Sequence, residues 1–423
     1  MADRTRVFIC YKKKSADGRE NNTAYQLYQF LTEVPDYDVW MDEGLDAGLL
    51  WEKTIYENLI STQVLILALG DGTSQSEWVR RELSMAMAFG IQIVPVGLSI
   101  SEQQLHQELQ NLGLTGIHYR RPFNIASQTA RGIVSELAPA ISRARENTKL
   151  GGYELLGKIT KKVQPAMRSA RPNLAVASKS CTFGTKKISI HIASGDIFRL
   201  SNYDILVNSE NDYMQMARIF DMASLSSNIR HYGSATERGY LEDTIQLEIE
   251  RTIAGRPRPV PPGTAIWTSS GGPSSSLYRN NKISHIIHVA AVQAVLAEHR
   301  IVPLRAEEQI RECVAAALMA TQAICEANGV ISPEGTPQHK LQQEIARTFA
   351  PKRMVLPLFG TGRGGQSPAV VGPTVLEAIV DFFLGPLFDE KHMLVTDIHL
   401  SVYSEDDVDT MVNALAKTEV AQA

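Results

Sequence analysis

The chain has 423 residues, 44% of them hydrophobic and 21% charged, with 46 acidic against 42 basic side chains. That length exceeds one ordinary core, and the composition is that of a globular chain, so two domains or one unusually large α/β unit are expected. The absence of a basic excess argues against nucleic acid as the main partner, while leaving room for a local pocket for one small phosphate ligand.

The cysteines Cys10, Cys181, Cys313 and Cys325 form no C-x-x-C pair and suggest neither a disulfide framework nor a zinc site, so no metal is expected. A reducing cytoplasm fits that usage. No signal peptide is expected, because Met1 to Arg6 run directly into a strand. The longest apolar runs, such as Val64 to Leu69, are too short to span a bilayer, and a soluble protein without membrane partners is expected.

In chain order, Val7 to Cys10 reads as a buried strand, and Ala24, Leu27, Tyr28 and Leu31 recur at helical spacing. Tyr37 to Met41 reads as a second strand, and Trp51, Ile55 and Leu59 as a second helix. The run Val64 to Leu69 is a third strand. A helix from about Ser76 to Phe89 follows, with Gly90 placed to end it, and then a strand Ile91 to Val96. A last helix from about Ser127 to Arg143 closes the unit. Continuous Val/Ile/Leu strands alternating with helices predict a parallel sheet covered on both faces, with its ligand at the carboxyl ends of the strands. Residues 145–185 are less periodic and read as a connector with some helix around Leu155 to Met167.

From Lys187 the alternation resumes, with strands expected at 188–192, 204–208, 265–268, 286–289, 354–358 and 398–403. The segment from Ala306 to Ala327 is a helix with Ile310, Cys313, Val314, Ala317, Leu318 and Thr321 on one face. A final helix after Ser404 buries Val408, Met411, Val412 and Leu415. The expected division is 1–144, connector 145–185, and 186–423.

Glu82 is the first residue that breaks a pattern. On a helix it neighbours Trp78 and Met85, with Phe89 one turn further on, so a carboxylate sits in an apolar row. Desolvation there raises its pKa. The plain alternative is pairing with a basic side chain at the edge of the core. Residues 5–143 resemble a TIR domain: the first strand ends in Cys10-Tyr11-Lys12, the loop Asp42 to Gly48 follows the second strand, and Ser76, Trp78 and Glu82 form Ser-x-Trp-x-x-x-Glu. That motif carries the catalytic glutamate in NAD-cleaving TIR enzymes, although many TIR domains act only as adaptors. Val79 stands where the family usually has Cys. The resemblance implies a flavodoxin-like parallel sheet, Glu82 as catalytic residue, and Tyr11, Asp42, Ser76 and Trp78 around the substrate NAD, with no cofactor required. Ser76 also reads as a helix N-cap and Trp78 as a core residue.

Residues 186–420 resemble a macro domain. The carrying segments are Gly195-Asp196-Ile197, Asp204 to Asn211, Pro262 to Ala265, Ile286 to Val289 and Pro357 to Gly365. The resemblance implies an α/β unit with a mixed sheet that holds ADP-ribose or a derivative. Asp196 would accept from the adenine amino group, and Asn211 would stand near the distal ribose. The glycines of 360–365, Gly360, Gly362 and Gly364 among them, would form a phosphate nest, with Arg363 neutralising the phosphate charge. Ile197, Asn208 and Thr361 complete the implied ligand-binding set. Singly, each has a plain reading: a turn cap at Asp196, a satisfied polar core residue at Asn208, a flexible turn at the glycines. Asp212 to Phe220 lacks the glycines of hydrolytic macro domains and looks helical; Ile331 to Arg353 looks inserted.

The combination looks like effectors of prokaryotic antiviral defence, including Thoeris-like systems. It implies an NAD glycohydrolase switched by an ADP-ribose-derived signal and acting through TIR self-association. The alternatives are a non-catalytic TIR adaptor with a macro-domain receptor, and an ADP-ribosyl hydrolase.

Overall fold

A computed structural model describes residues 4–13, 22–42, 54–55, 58–114, 120–123, 128–148, 174–195, 197–199, 203–217, 224–234, 243–272, 275–295, 300–304, 306–329, 349–361, 365–402 and 405–418. The N-terminal unit is built on strands β1 (Thr5–Tyr11), β2 (Tyr37–Met41), β3 (Val64–Leu69), β4 (Gln92–Leu98) and β5 (Arg120–Phe123). They pair in the order β2-β1-β3-β4-β5, every pair parallel. This is the flavodoxin-like order of a doubly wound sheet. Because strand side chains alternate, β1 sends Phe8 and Cys10 to one face and Val7 and Ile9 to the other. The first face packs under α2 (Glu77–Phe89) and α3 (Glu102–Asn111); the second packs under α1 (Asn22–Thr32) and α4 (Ala130–Asn147).

The termini of α2 lie where the sequence puts them: Ser76 is the N-cap, and Gly90, at φ 71°, is the left-handed C-cap. The last helix is displaced from the expected Ser127–Arg143 because Thr129 is the residue that caps it, accepting from the N–H of Gly132. Helix α3 is an element the periodicity did not reveal; a capping box between Ser101 and Gln104 starts it.

The second sheet takes β6 (Leu174–Phe183), β7 (Lys186–Ser194), β8 (Ile205–Asn211), β9 (Ala265–Ser269), β10 (His285–Val295), β11 (Arg300–Pro303), β12 (Arg353–Pro357) and β13 (Asp397–Val402). Its order is β11-β10-β8-β12-β13-β7-β6, with β9 also on β10. The central strands β10, β8, β12, β13 and β7 are parallel to their neighbours, whereas β6, β9 and β11 pair antiparallel, so the sheet is mixed. One face carries α8 (Glu307–Glu326), α9 (Pro368–Leu384) and α10 (Glu405–Lys417); the other carries α5 (Leu225–Gly233), α6 (Thr244–Thr252) and α7 (Ser276–Asn281).

Two expectations change. Residues 174–183, assigned by sequence to the connector, form the edge strand β6 along β7. Their alternation of Ala, Ser and Lys hides a strand in which Cys181 and Phe183 are buried. Asp212–Ala217 is not helical: Met214 has φ 52°, and the Asn211 side chain holds the segment as a turn, with Oδ1 accepting from the N–H groups of Tyr213 and Gln215. Helix α9 begins at Pro368, with Pro373 inside it. The four cysteines are free and buried. Among the described residues no helix is long and apolar enough to cross a membrane.

Candidate functional site

Helix α2 has two working faces. Val79, Glu82 and Ala86 share one stripe and are buried, with Val79 and Ala86 in the core beneath the helix. Glu82 is 7% exposed, and burial pushes its carboxyl up to about 8, against a lowering hydrogen bond from Cys10 and with a further push from the Asp42 charge. Among the described residues no basic side chain contributes to that shift. Cys10 is buried at the end of β1, and its thiol is raised by desolvation and by Glu82.

Of the other N-terminal candidates, Asp42 is the one whose charge acts on this carboxyl. Tyr11 follows Cys10, and its hydroxyl donates to the main-chain carbonyl of Asp42 over 2.8 Å. Asp42 Oδ1 is buried and takes no hydrogen bond among the described residues. Ser76 is spent on capping, its Oγ accepting from the Val79 N–H at 3.4 Å. Trp78 is 36% exposed with the Arg81 guanidinium 4.9 Å above its ring, so it is a surface platform rather than a core residue. Cys10, Tyr11 and Asp42 all stand at the carboxyl ends of parallel strands, the edge where such sheets bind ligands.

In the second unit the predicted residues come from the carboxyl ends of β7, β8 and β12, which run parallel and therefore open on one edge. Ile197 starts the short turn after β7, half-buried against the α5–α7 core. Asp196, Gly362, Arg363 and Gly364 lie outside the described residues. Gly360, at φ 75°, and Thr361 form the turn after β12, with the Thr361 hydroxyl on the Leu358 carbonyl at 2.8 Å.

The two asparagines differ. Asn208 is fully buried, its amide donating to Glu210 Oε2 at 3.0 Å and lying 3.2 Å from His288 Nδ1. Burial drives His288 down to about 3, so it is neutral. With Nδ1 accepting from Asn208, Nε2 carries the proton towards Thr268 Oγ1 at 3.0 Å. Asn211 stands at the sheet edge, and its Nδ2 donates to Glu210 Oε1 and to the Gln215 carbonyl. Glu210, which the sequence did not mark, joins both: four donors converge on it, yet burial lifts its carboxyl to about 7.

From Asn211 a hydrogen-bonded path reaches α2. Gln246 of α6 accepts from the Met216 N–H at 2.8 Å, and its amide donates to the Met214 carbonyl and to Glu250 Oε1 at 3.1 and 3.0 Å. The Glu250 carbonyl accepts from Arg80 Nη1 of α2 at 3.4 Å, while Arg80 Nε holds the Ser74 carbonyl at 2.6 Å. Arg80, Leu83 and Met87 form the second stripe of α2 and line a crevice with Leu112, Gln215, Gln246 and Glu250. Arg258 grips the Glu250 carboxylate from the same side and lies against Gly113, where an added Cβ would sit 2.0 Å from Nη1.

The fold and site thus define an α/β protein whose N-terminal parallel-sheet unit buries a carboxyl at the strand ends, joined to a mixed-sheet unit. Residues 7–132 match the family model described as TIR domain. Among solved structures the chain is similar to a variant of the Oceanobacillus iheyensis macrodomain with ADPR, at 16% identity and a TM-score of 0.36, covering 57% of this chain and 97% of that one. It is similar also to the Oceanobacillus iheyensis macrodomain with ADP (16%, TM-score 0.35, covering 57% and 95%). A third likeness is the Trypanosoma brucei macrodomain in complex with ADP-ribose (13%, TM-score 0.32, covering 53% and 68%). No curated protein sequence matches the chain.

Proposed function

We propose that the N-terminal unit cleaves the bond between nicotinamide and ribose in NAD, with Glu82 as the catalytic carboxylate. The observation that carries this reading is a carboxyl 7% exposed, lifted to about 8, and grouped with Cys10, Tyr11 and Asp42 at a strand-end edge. A desolvated carboxylate with no basic partner among the described residues is held at a cost in stability, and such groups concentrate at functional sites.

The chemistry matches the residue. The nicotinamide ring of NAD is cationic, so its arrival beside Glu82 favours the ionised carboxylate. As the C–N bond breaks, nicotinamide leaves with the electron pair as a neutral molecule, and positive charge moves onto the ribose. Glu82 then faces an oxocarbenium-like centre in a low-dielectric setting, where a fixed charge is most effective. Water adds to the ribose carbon and loses a proton, giving ADP-ribose. Trp78, exposed on the same helix, offers a face on which a ring can stack.

The second unit is proposed to bind ADP-ribose or a derivative at the edge holding Ile197, Asn211, Gly360 and Thr361, and to switch the first. The hydrogen-bonded path from Asn211 through Gln246 and Glu250 to Arg80 supports that coupling, since it ends on the helix that bears Glu82. A ligand acts through it only by preferring one of two arrangements. In this reading the protein is a cytoplasmic effector of antiviral defence that self-associates through its TIR units and depletes NAD.

The test is nicotinamide release from NAD by the purified chain, with and without ADP-ribose. The expected result is release that depends on added ligand and vanishes in Glu82→Gln. Release that survives in Glu82→Gln would falsify the catalytic assignment. Ligand binding without turnover under every condition would leave a binding protein.

A further inference from the structure

Three side chains outside both sites converge on one face of the second sheet. His191 of β7 and His399 of β13 are register partners, and Asp397, two residues before His399, lies on the same face. The two imidazoles stack with centroids 4.2 Å apart and planes 12° from parallel. His191 Nε2 lies 3.0 Å from Asp397 Oδ1. One ligand atom from each of the three residues lies within 4.8 Å of the other two.

What separates this group from a chance polar cluster is how its far ends are held. His191 Nδ1 is 2.7 Å from Ser178 Oγ of β6, and His399 Nδ1 is 3.0 Å from the Tyr203 hydroxyl. Asp397 Oδ2 accepts from Thr396 Oγ1 at 2.8 Å. Each side chain is thus held at one atom by a hydroxyl, while His191 Nε2 and Asp397 Oδ1 face each other at 3.0 Å, a contact that a bound cation would replace. Ligating histidines are held in this way, with the second ring nitrogen engaged by a neighbouring polar group. Hydroxyls suit the task because they can donate or accept, so they hold Nδ1 of either imidazole in either tautomer.

We propose that His191, His399 and Asp397 bind a divalent transition-metal cation of the zinc type, pinning β7 to β13 near the edge of the second sheet. Two neutral imidazoles and one carboxylate form a donor set that zinc and its neighbours accept, with water completing the coordination. Metal–nitrogen bonds of about 2.0 Å bring ligand atoms to about 3.4 Å apart in a tetrahedral site, so binding draws the three side chains inward by rotation.

The full chain, stripped with EDTA, is titrated with ZnCl2 by calorimetry and with CoCl2 by visible absorption. The expected result is one saturable site with the strong d–d bands of four-coordinate cobalt, lost in His191→Gln and in His399→Gln. Tyr203→Phe and Ser178→Ala, which remove no ligand, are expected to weaken uptake about 10-fold or more. The proposal is overturned if the wild type takes up no stoichiometric metal. It is equally overturned if uptake is undiminished in His399→Gln with an unchanged circular dichroism spectrum. Should the histidine variants fail to fold, undiminished affinity in both Tyr203→Phe and Ser178→Ala overturns it.

Discussion

The thiol of Cys10, near the end of β1, donates to the Val79 carbonyl of α2 at 3.9 Å and lies close enough to Glu82 to lower its carboxyl pKa against burial. Burial still wins, leaving the carboxyl at about 8 in the free protein. If the ionised form stabilises the transition state, kcat/KM for nicotinamide release rises with pH and levels off above about 8, because kcat/KM reports the free enzyme. The limb in kcat lies lower, since the bound cationic ring favours ionisation. A pH–rate series under saturating second-site ligand checks both, and a profile flat across this range removes Glu82 from the role.

The same raised pKa is a statement about stability. A carboxyl at about 8 folded and about 4.3 unfolded contributes its full stability below the lower value. That contribution is lost as pH rises towards about 8. Glu82→Gln, which carries no charge to desolvate, is therefore expected to melt a few degrees above wild type at alkaline pH and close to it near pH ~4. Glu210, lifted to about 7, titrates in both proteins and cancels from the comparison. A variant less stable than wild type at every pH contradicts the argument.

Coupling between the two units predicts a separation of binding from response. Gln246→Met keeps the side-chain volume but strips the Met216 N–H, the Met214 carbonyl and Glu250 Oε1 of their partner, at a cost of about 1–3 kcal/mol. Gly113→Ala adds a methyl against the Arg258 guanidinium at a backbone φ of 70°, so the contact must open. Both variants are expected to bind ADP-ribose within a few-fold of wild type while losing most of the ligand-dependent rise in nicotinamide release. Retention of the full response in both eliminates the Asn211-to-Arg80 path as the route.

Much of this architecture was legible before any coordinates. Glu82 was visible because a carboxylate interrupts the apolar row of Trp78, Met85 and Phe89, and Gly90 marked the helix end by its need for a left-handed φ of 71°. The strand β6 was not legible, since an edge strand with exposed Ser178 and Ser180 carries no apolar signature. Nor was the turn at 212–217, where one side chain, Asn211, overrides a locally helical composition through bonds to Tyr213 and Gln215. Trp78 defied its usual fate because the inward stripe of α2 was already filled by Val79 and Ala86. Glu210, Gln246 and Arg80 act through contacts of 30 to 170 residues' separation or through burial, which no local pattern records.

Arg230 offers the sharpest test of the second unit's interior. It is 1% exposed, with Nε and Nη2 on Asp243 Oδ2 at 2.9 and 2.5 Å and Nη1 on the carbonyls of Met216 and Ala217. The pair fixes α5 to the start of α6 and props the turn that Asn211 organises. Arg230→Met leaves a buried carboxylate and two carbonyls without their donor, and is expected to cost about 3–5 kcal/mol. Replacing both partners, as in Arg230→Met with Asp243→Leu, removes the charge as well and is expected to recover much of that loss. Urea unfolding of the three proteins measures the difference, and hydrogen exchange at 214–217 reports the turn. A single variant costing under about 1 kcal/mol, or a double variant no better than the single, shows that the guanidinium is not what holds this region together.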